Sequence, residues 1–190
     1  MPLSEYLSDF GDTLVAGTAA LIIFAWLWAR LGWVVGLMFL ICLAGVLGSE
    51  VGLKFIAYGL LRPPVGETSM LSLSQGAPSG HAAFATIVYG SLAAVLVVLD
   101  GRPVARLAAV LCAAVIAIVA VTRVTLIMHT AGDVIAGFAV GGIGVFVFAR
   151  ALKEQLQGRQ IGALSLFAAV GGVAVLLLVS GGRFETMALF

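Results

Sequence analysis

Six long apolar runs separated by short polar breaks constrain this chain more than anything else in it. They fall at roughly 13–29, 33–60, 80–99, 104–122, 130–149 and 161–180. A helix crossing a bilayer needs about 20 consecutive apolar residues. Inside hydrocarbon every backbone amide must pair within a helix or a closed barrel. The runs are unbroken and do not alternate with polar residues, which excludes barrel strands. Charged residues make up only 10% of the chain, against about 25% in an average soluble domain. A soluble fold of this size has too few charges to cover its surface. The expected fold class is all-α, an integral membrane bundle of six transmembrane helices, with residues 1–190 as one membrane-embedded domain.

The breaks between runs have physical causes. Arg30, Leu31 and Gly32 part the first two. Pro63 and Pro64 stop the second, because proline lacks an N–H and clashes with the preceding turn. Residues 64–79 form the only long polar stretch, and Asp100-Gly101-Arg102-Pro103 reads as a tight turn. The first twelve residues carry Glu5, Asp9 and Asp12 but no Lys or Arg, unlike a cleaved signal. Asp12 or Thr13 is expected to open the first helix. Cys42 and Cys112 sit in separate apolar runs and read as small packing residues. The net charge of +1 gives no reason to expect a nucleic-acid partner.

Basic residues in short loops set orientation. Arg30, Arg102, Arg106, Arg150, Lys153 and Arg159 gather on one side of the expected topology. The other side holds Lys54, Arg62, Arg123 and Arg183, the first three of which belong to the motifs below. This bias puts both termini and the 64–79 loop outside the cytoplasm. The expected location is a plasma membrane, and the brevity of the chain suggests a bacterial inner membrane with the site facing the periplasm.

Ionisable residues inside spans are costly and mark function by default. Lys54, Arg62, His81, Arg123, His129 and Asp133 all lie near helix ends, and the topology brings all six to the non-cytoplasmic side. The chain has only two histidines. His129 precedes Asp133 by four residues, a spacing that puts two side chains on one helix face. Asp133 is thus placed to hold one imidazole nitrogen and leave the other free to attack. Three cations suit a tetrahedral anion with developing charge. Ser79 and Gly80, just before a helix, offer N–H groups and the positive end of a helix dipole.

The set Lys54…Arg62-Pro63, Pro78-Ser79-Gly80-His81 and Thr122-Arg123-x5-His129-x3-Asp133 resembles the type 2 phosphatidic acid phosphatase family. The resemblance spans residues 54–133. It implies metal-independent dephosphorylation of a lipid phosphate or pyrophosphate, with no cofactor. By this resemblance His129 attacks phosphorus and forms a phosphohistidine, Asp133 polarises His129, and His81 protonates the leaving oxygen and then activates water. Lys54, Arg62, Ser79, Gly80 and Arg123 hold the phosphate oxygens. The membrane lipid substrates it implies are phosphatidic acid, phosphatidylglycerol phosphate, undecaprenyl pyrophosphate and lipid A phosphate. Alternatives are a lipid phosphotransferase using the same phosphohistidine, or a non-enzymatic anion or lipid carrier.

Two departures from the family pattern stand out. Thr122 replaces a serine and keeps a hydroxyl. Seven residues, not six, separate Lys54 from Arg62, which on a helix turns the two cations about 80° apart. Either the helix unwinds before Pro63 or one cation is displaced. Glu50, four before Lys54, is placed to neutralise it. Finally, Gly137 and Gly141 form G-x-x-x-G, expected to serve close helix packing within the chain.

Overall fold

A computed structural model describes residues 9–61, 77–100, 102–156 and 161–179. Among these residues six α-helices follow a short 3-10 turn at Asp9–Gly11: α1 Thr13–Leu31, α2 Trp33–Leu61, α3 Gly80–Leu99, α4 Pro103–Thr125, α5 Ala131–Leu156 and α6 Leu164–Val179. There is no strand among the described residues. The all-α reading holds, with helix ends a few residues from those expected. Five helices are long and apolar enough to cross a membrane, while α6 is apolar but shorter.

Several helix ends have a local cause. Asp12 caps α1, its Oδ1 accepting the Leu14 N–H at 2.9 Å. Gly32 closes α1 at φ 97°, a conformation only glycine takes readily. Pro103 sits in the first turn of α4, where its missing N–H is no loss. The end of α4 is less ordinary. The Ile127 N–H donates to the Val124 carbonyl at 3.1 Å and the Met128 N–H to the Arg123 carbonyl at 3.2 Å. That is the Schellman pattern, whose left-handed position is usually glycine. Ile127 occupies it at φ 57°, and its side chain is exposed.

The core is organised around α3. In its spanning window 72% of residues are buried, against 28–33% for α1, α2, α4 and α5. It packs most closely on α4 and α5, and also touches α1 and α2. Between lipid-solvated helices no hydrophobic driving force remains, so close packing of small residues must hold them together. Gly137 and Gly141 do this on α5. A Cβ at Gly137 would lie 2.6 Å from the Ser79 carbonyl oxygen, and one at Gly141 2.6 Å from Thr86 Cβ and 2.7 Å from the Ala83 carbonyl oxygen. The expected intrachain use of this G-x-x-x-G is borne out. Phe39 and Phe148 meet edge to face between α2 and α5, with centroids 5.6 Å apart. Large apolar side chains such as Leu21, Ile41, Leu107, Val110, Ile143 and Phe146 face outward, as a bilayer permits.

One end of the bundle is tied by a polar clasp. Asp100 accepts from Arg102 Nε at 2.7 Å and Nη2 at 2.5 Å, and from the Ala163 N–H at 3.3 Å. The Ile161 N–H donates to the Leu99 carbonyl at 2.9 Å. The α3–α4 turn is thereby joined to the lead-in of α6. The Arg102 guanidinium holds the Asp100 carboxyl well below the usual carboxylate range. Replacing Asp100 by Ala leaves the Ala163 N–H without its acceptor, and should lower the unfolding temperature in detergent while sparing chemistry at the far end. Thermal unfolding of the variant checks this.

Candidate active site

The helices alternate in direction, so the start of α1, the end of α2, the start of α3, the end of α4 and the start of α5 share one end of the bundle. Lys54, Ser79, Gly80, His81, Arg123, His129 and Asp133 come from these ends. Arg62 lies outside the described residues, as do residues 63–76. The charges of Arg123, Asp12, His129 and Lys54 all reach His81. Those of Arg123, Asp133 and Lys54 reach His129.

His129 is not on a helix. It lies in the turn between α4 and α5, one residue before the cap of α5. This differs from the shared helix face expected for His129 and Asp133, and the cause is local. Thr130 caps α5: its hydroxyl accepts the Asp133 N–H at 3.2 Å, and Asp133 Oδ2 accepts the Thr130 N–H at 2.9 Å. This reciprocal capping box starts the helix after His129. The His129 N–H donates to the Arg123 carbonyl at 3.2 Å. The imidazole is nearly fully buried, with Nδ1 3.9 Å from Asp133 Oδ2. That is beyond hydrogen-bonding length, and Nδ1 has no hydrogen-bond partner among the described residues. Such contacts commonly tighten only when substrate is bound.

Asp133 also joins the second motif to the third. Its carbonyl accepts the Ser79 N–H at 2.9 Å. That amide, expected to face a phosphate, is therefore already used. The Ser79 hydroxyl is different: it is fully buried and has no hydrogen-bond partner among the described residues. A buried unsatisfied hydroxyl is costly without a ligand to satisfy it.

Lys54 stands beside the start of α3. Its Nζ lies 2.5 Å from Glu50 Oε1, and a Cβ at Gly80 would be 2.9 Å from that same oxygen and 3.7 Å from Lys54 Nζ. The ion pair foreseen from spacing is present, and it abuts the P-S-G-H loop. α2 runs unbroken through Leu61, so it does not unwind between Lys54 and that residue.

Sequence reasoning missed one contributor. The 3-10 turn before α1 rests on His81: a Cβ at Gly11 would lie 2.7 Å from Val119 Cγ1 and 3.4 Å from His81 Cβ. The next residue, Asp12, caps α1. No motif marks it, and its capping role accounts for an acidic residue there.

Two histidines, an Arg, an ion-paired Lys and a helix-capping carboxylate thus converge on one helix N-terminus. The PAP2 superfamily matches residues 33–157 of the chain, which contain all three motifs. The chain belongs to the PAP2 superfamily. PAP2 proteins are phosphatases, which supports a phosphoester hydrolase here. Neither curated proteins nor solved structures give a match. The PAP2 match begins at Trp33, so α1 and the Asp12 turn lie outside it.

Proposed function

We propose that this PAP2 protein hydrolyses a lipid phosphate monoester or pyrophosphate through a phosphohistidine, at the outer face of a bacterial inner membrane. The observation that carries the reading is the meeting of His129 and His81 with Arg123 and Lys54 at one end of a bundle whose flanks are apolar. A lipid headgroup reaches such a site from the bilayer. The charge bias of the loops supports the outer face.

In this mechanism His129 Nε2 attacks phosphorus while Nδ1 carries the proton and faces Asp133. The bond from phosphorus to the lipid oxygen breaks, and His81 gives that oxygen its proton. Water then attacks the phosphohistidine, His81 takes a proton from it, and phosphate leaves with His129 restored. Asp133 stabilises the imidazolium formed in the first step. Arg123, Lys54, Arg62, the Ser79 hydroxyl and the Gly80 end of α3 hold the phosphoryl oxygens as charge develops. Phosphate release by purified protein across a panel of lipid phosphates, with and without chelator, tests the reading. Turnover with chelator present supports it. Release of free phosphate from a single lipid argues against a phosphotransferase, and no turnover of any lipid phosphate sinks the proposal.

The charge state of the nucleophile gives a second prediction. Burial first, then the Arg123 charge and more weakly Lys54, push the His129 imidazole below the ordinary histidine range, while Asp133 opposes them. The neutral form attacks, so a depressed titration keeps the nucleophile available into mildly acidic solution. The acid limb of kcat/KM should therefore fall below about pH 6.5, once the substrate's own ionisation is taken out. Asp133→Asn removes the one opposing charge and should move that limb lower still, besides reducing the rate. A limb that moves to higher pH contradicts this assignment.

A further inference from the structure

Among the described residues Ile127 is the one side-chain-bearing residue in the left-handed conformation, at φ 57°. That conformation is costly for a β-branched side chain, and glycine is the usual occupant of this Schellman position. Packing inside the protein does not offset the cost, because the Ile127 side chain is 91% exposed. Any offset therefore lies outside the fold. The surroundings indicate what it is. On α4 the exposed apolar positions Ile118, Val121 and Val124 recur every three residues toward the helix end, and Ile127 is next in the series. Met128 is exposed as well. α4 has 23 residues, a length of about 35 Å, against about 30 Å of hydrocarbon in a bilayer. The turn thus leaves α4 where acyl chains meet headgroups, and it continues a surface that already faces lipid. The site lies directly beside it. Ile127 precedes His129 by two residues, so their Cα atoms are at most about 7.6 Å apart. His129 is buried while Ile127 faces outward.

We infer that Ile127 is a specificity-determining residue that touches the hydrocarbon chain of the substrate, near its polar end, while the phosphate is held beside His129. This rests on the phosphatase reading above and narrows its substrate to a phosphate ester carrying a hydrocarbon chain, taken from the bilayer along the outer face of α4. The contact is apolar and has no direction. It therefore selects for the presence of a chain and not for a particular headgroup. A chainless phosphate ester gains nothing from it.

Substitution here does not endanger the fold, which keeps the test clean. Glycine and asparagine suit the left-handed turn better than isoleucine, so Ile127→Gly and Ile127→Asn should unfold in detergent at or above the wild-type temperature. Both should nonetheless raise KM for a long-chain lipid phosphate in mixed micelles about tenfold, with kcat changed by less than about twofold. For p-nitrophenyl phosphate, which has no chain, KM should change by less than about twofold. Ile127→Leu keeps the apolar contact and should keep the lipid KM within about twofold of wild type. Equal losses on the two substrates assign Ile127 to seating the turn in the membrane and overturn the substrate contact. An unchanged lipid KM in Ile127→Gly and Ile127→Asn overturns it as well. A binding probe separates the inference from the reading beneath it. A long-chain alkylphosphonate, whose carbon–phosphorus bond resists hydrolysis, with a photoreactive diazirine near its phosphorus end, should label the 123–133 segment in wild type and much less in Ile127→Gly. If wild type releases phosphate from no lipid yet shows this labelling, the phosphatase reading falls and the chain contact stands. If lipid phosphate turns over but the segment takes no label, the reading stands and the contact falls.

Discussion

His129→Ala should lower phosphate release by at least about a thousandfold, because removing a covalent nucleophile abolishes the route and not one interaction along it. The side chain is buried in the turn between α4 and α5, but the turn is held by backbone. The Schellman bonds of Ile127 and Met128, the His129 amide and the capping box of α5 all use groups that alanine leaves in place. Circular dichroism and unfolding temperature should therefore stay close to wild type. His129→Gln, nearer in volume, serves where alanine disturbs packing. Asp133→Asn should lose less, since it weakens the orienting charge and leaves a nucleophile. Full phosphate release in His129→Ala would remove His129 as the nucleophile. Loss of activity with loss of helix content would say nothing for catalysis, which is why the glutamine variant is part of the measurement.

The second large effect is structural. Gly141→Val should cost about 3 kcal/mol or more, at the upper end of overpacking penalties. Its Cβ would meet a backbone carbonyl, Ala83 O, at 2.7 Å and Thr86 Cβ at 2.6 Å, and neither can swing away as a long side chain can. α3 and α5 must part, and these two helices carry His81 and Asp133. Activity should therefore fall together with stability. The adjacent Gly142 is the control. A Cβ there meets nothing within 4 Å, so Gly142→Ala should be neutral, or stabilising by up to about 1 kcal/mol from helix propensity. Unfolding in detergent, followed with both variants, separates the two glycines. Equal tolerance at both would mean that α3 and α5 are not packed as described.

Much of this was legible in the sequence, because bilayer physics leaves few choices. Unbroken apolar runs give helices, and the helices alternate. Residues near successive helix ends, from Lys54 to Asp133, are then carried to one side whatever the detailed packing. Asp12 as the cap of α1 and the intrachain role of Gly137 and Gly141 follow from equally local rules. What the sequence hid depends on where a turn closes. A spacing of four between His129 and Asp133 looks helical, but Thr130 and Asp133 form a capping box that starts α5 at Ala131, two residues past His129. Ser79 looks like a free amide at a helix start, yet its N–H is taken by the Asp133 carbonyl, a contact between residues 54 positions apart. The packing of Gly11 against His81 and Val119 is likewise a tertiary fact: it depends on the turn before α1 folding over α3 and α4.

The pairing of Lys54 with Glu50 refines the phosphate cradle. A lysine already paired at 2.5 Å contributes less net charge to an incoming phosphate than an unpaired lysine would. In the proposed mechanism Lys54 is held in place by its carboxylate as it meets the phosphoryl oxygens.

The central claim is a covalent bond between phosphorus and His129. Purified protein mixed with a phosphorus-32-labelled lipid phosphate and quenched within milliseconds in alkali should carry label that is stable to base, labile to acid, and located by peptide mapping on the 123–133 segment. The label should vanish in His129→Ala and persist longer in His81→Ala given an aryl phosphate, because hydrolysis of the intermediate loses its base. Turnover of the lipid with no trapped label under any quench, or label on a residue other than His129, would contradict the account.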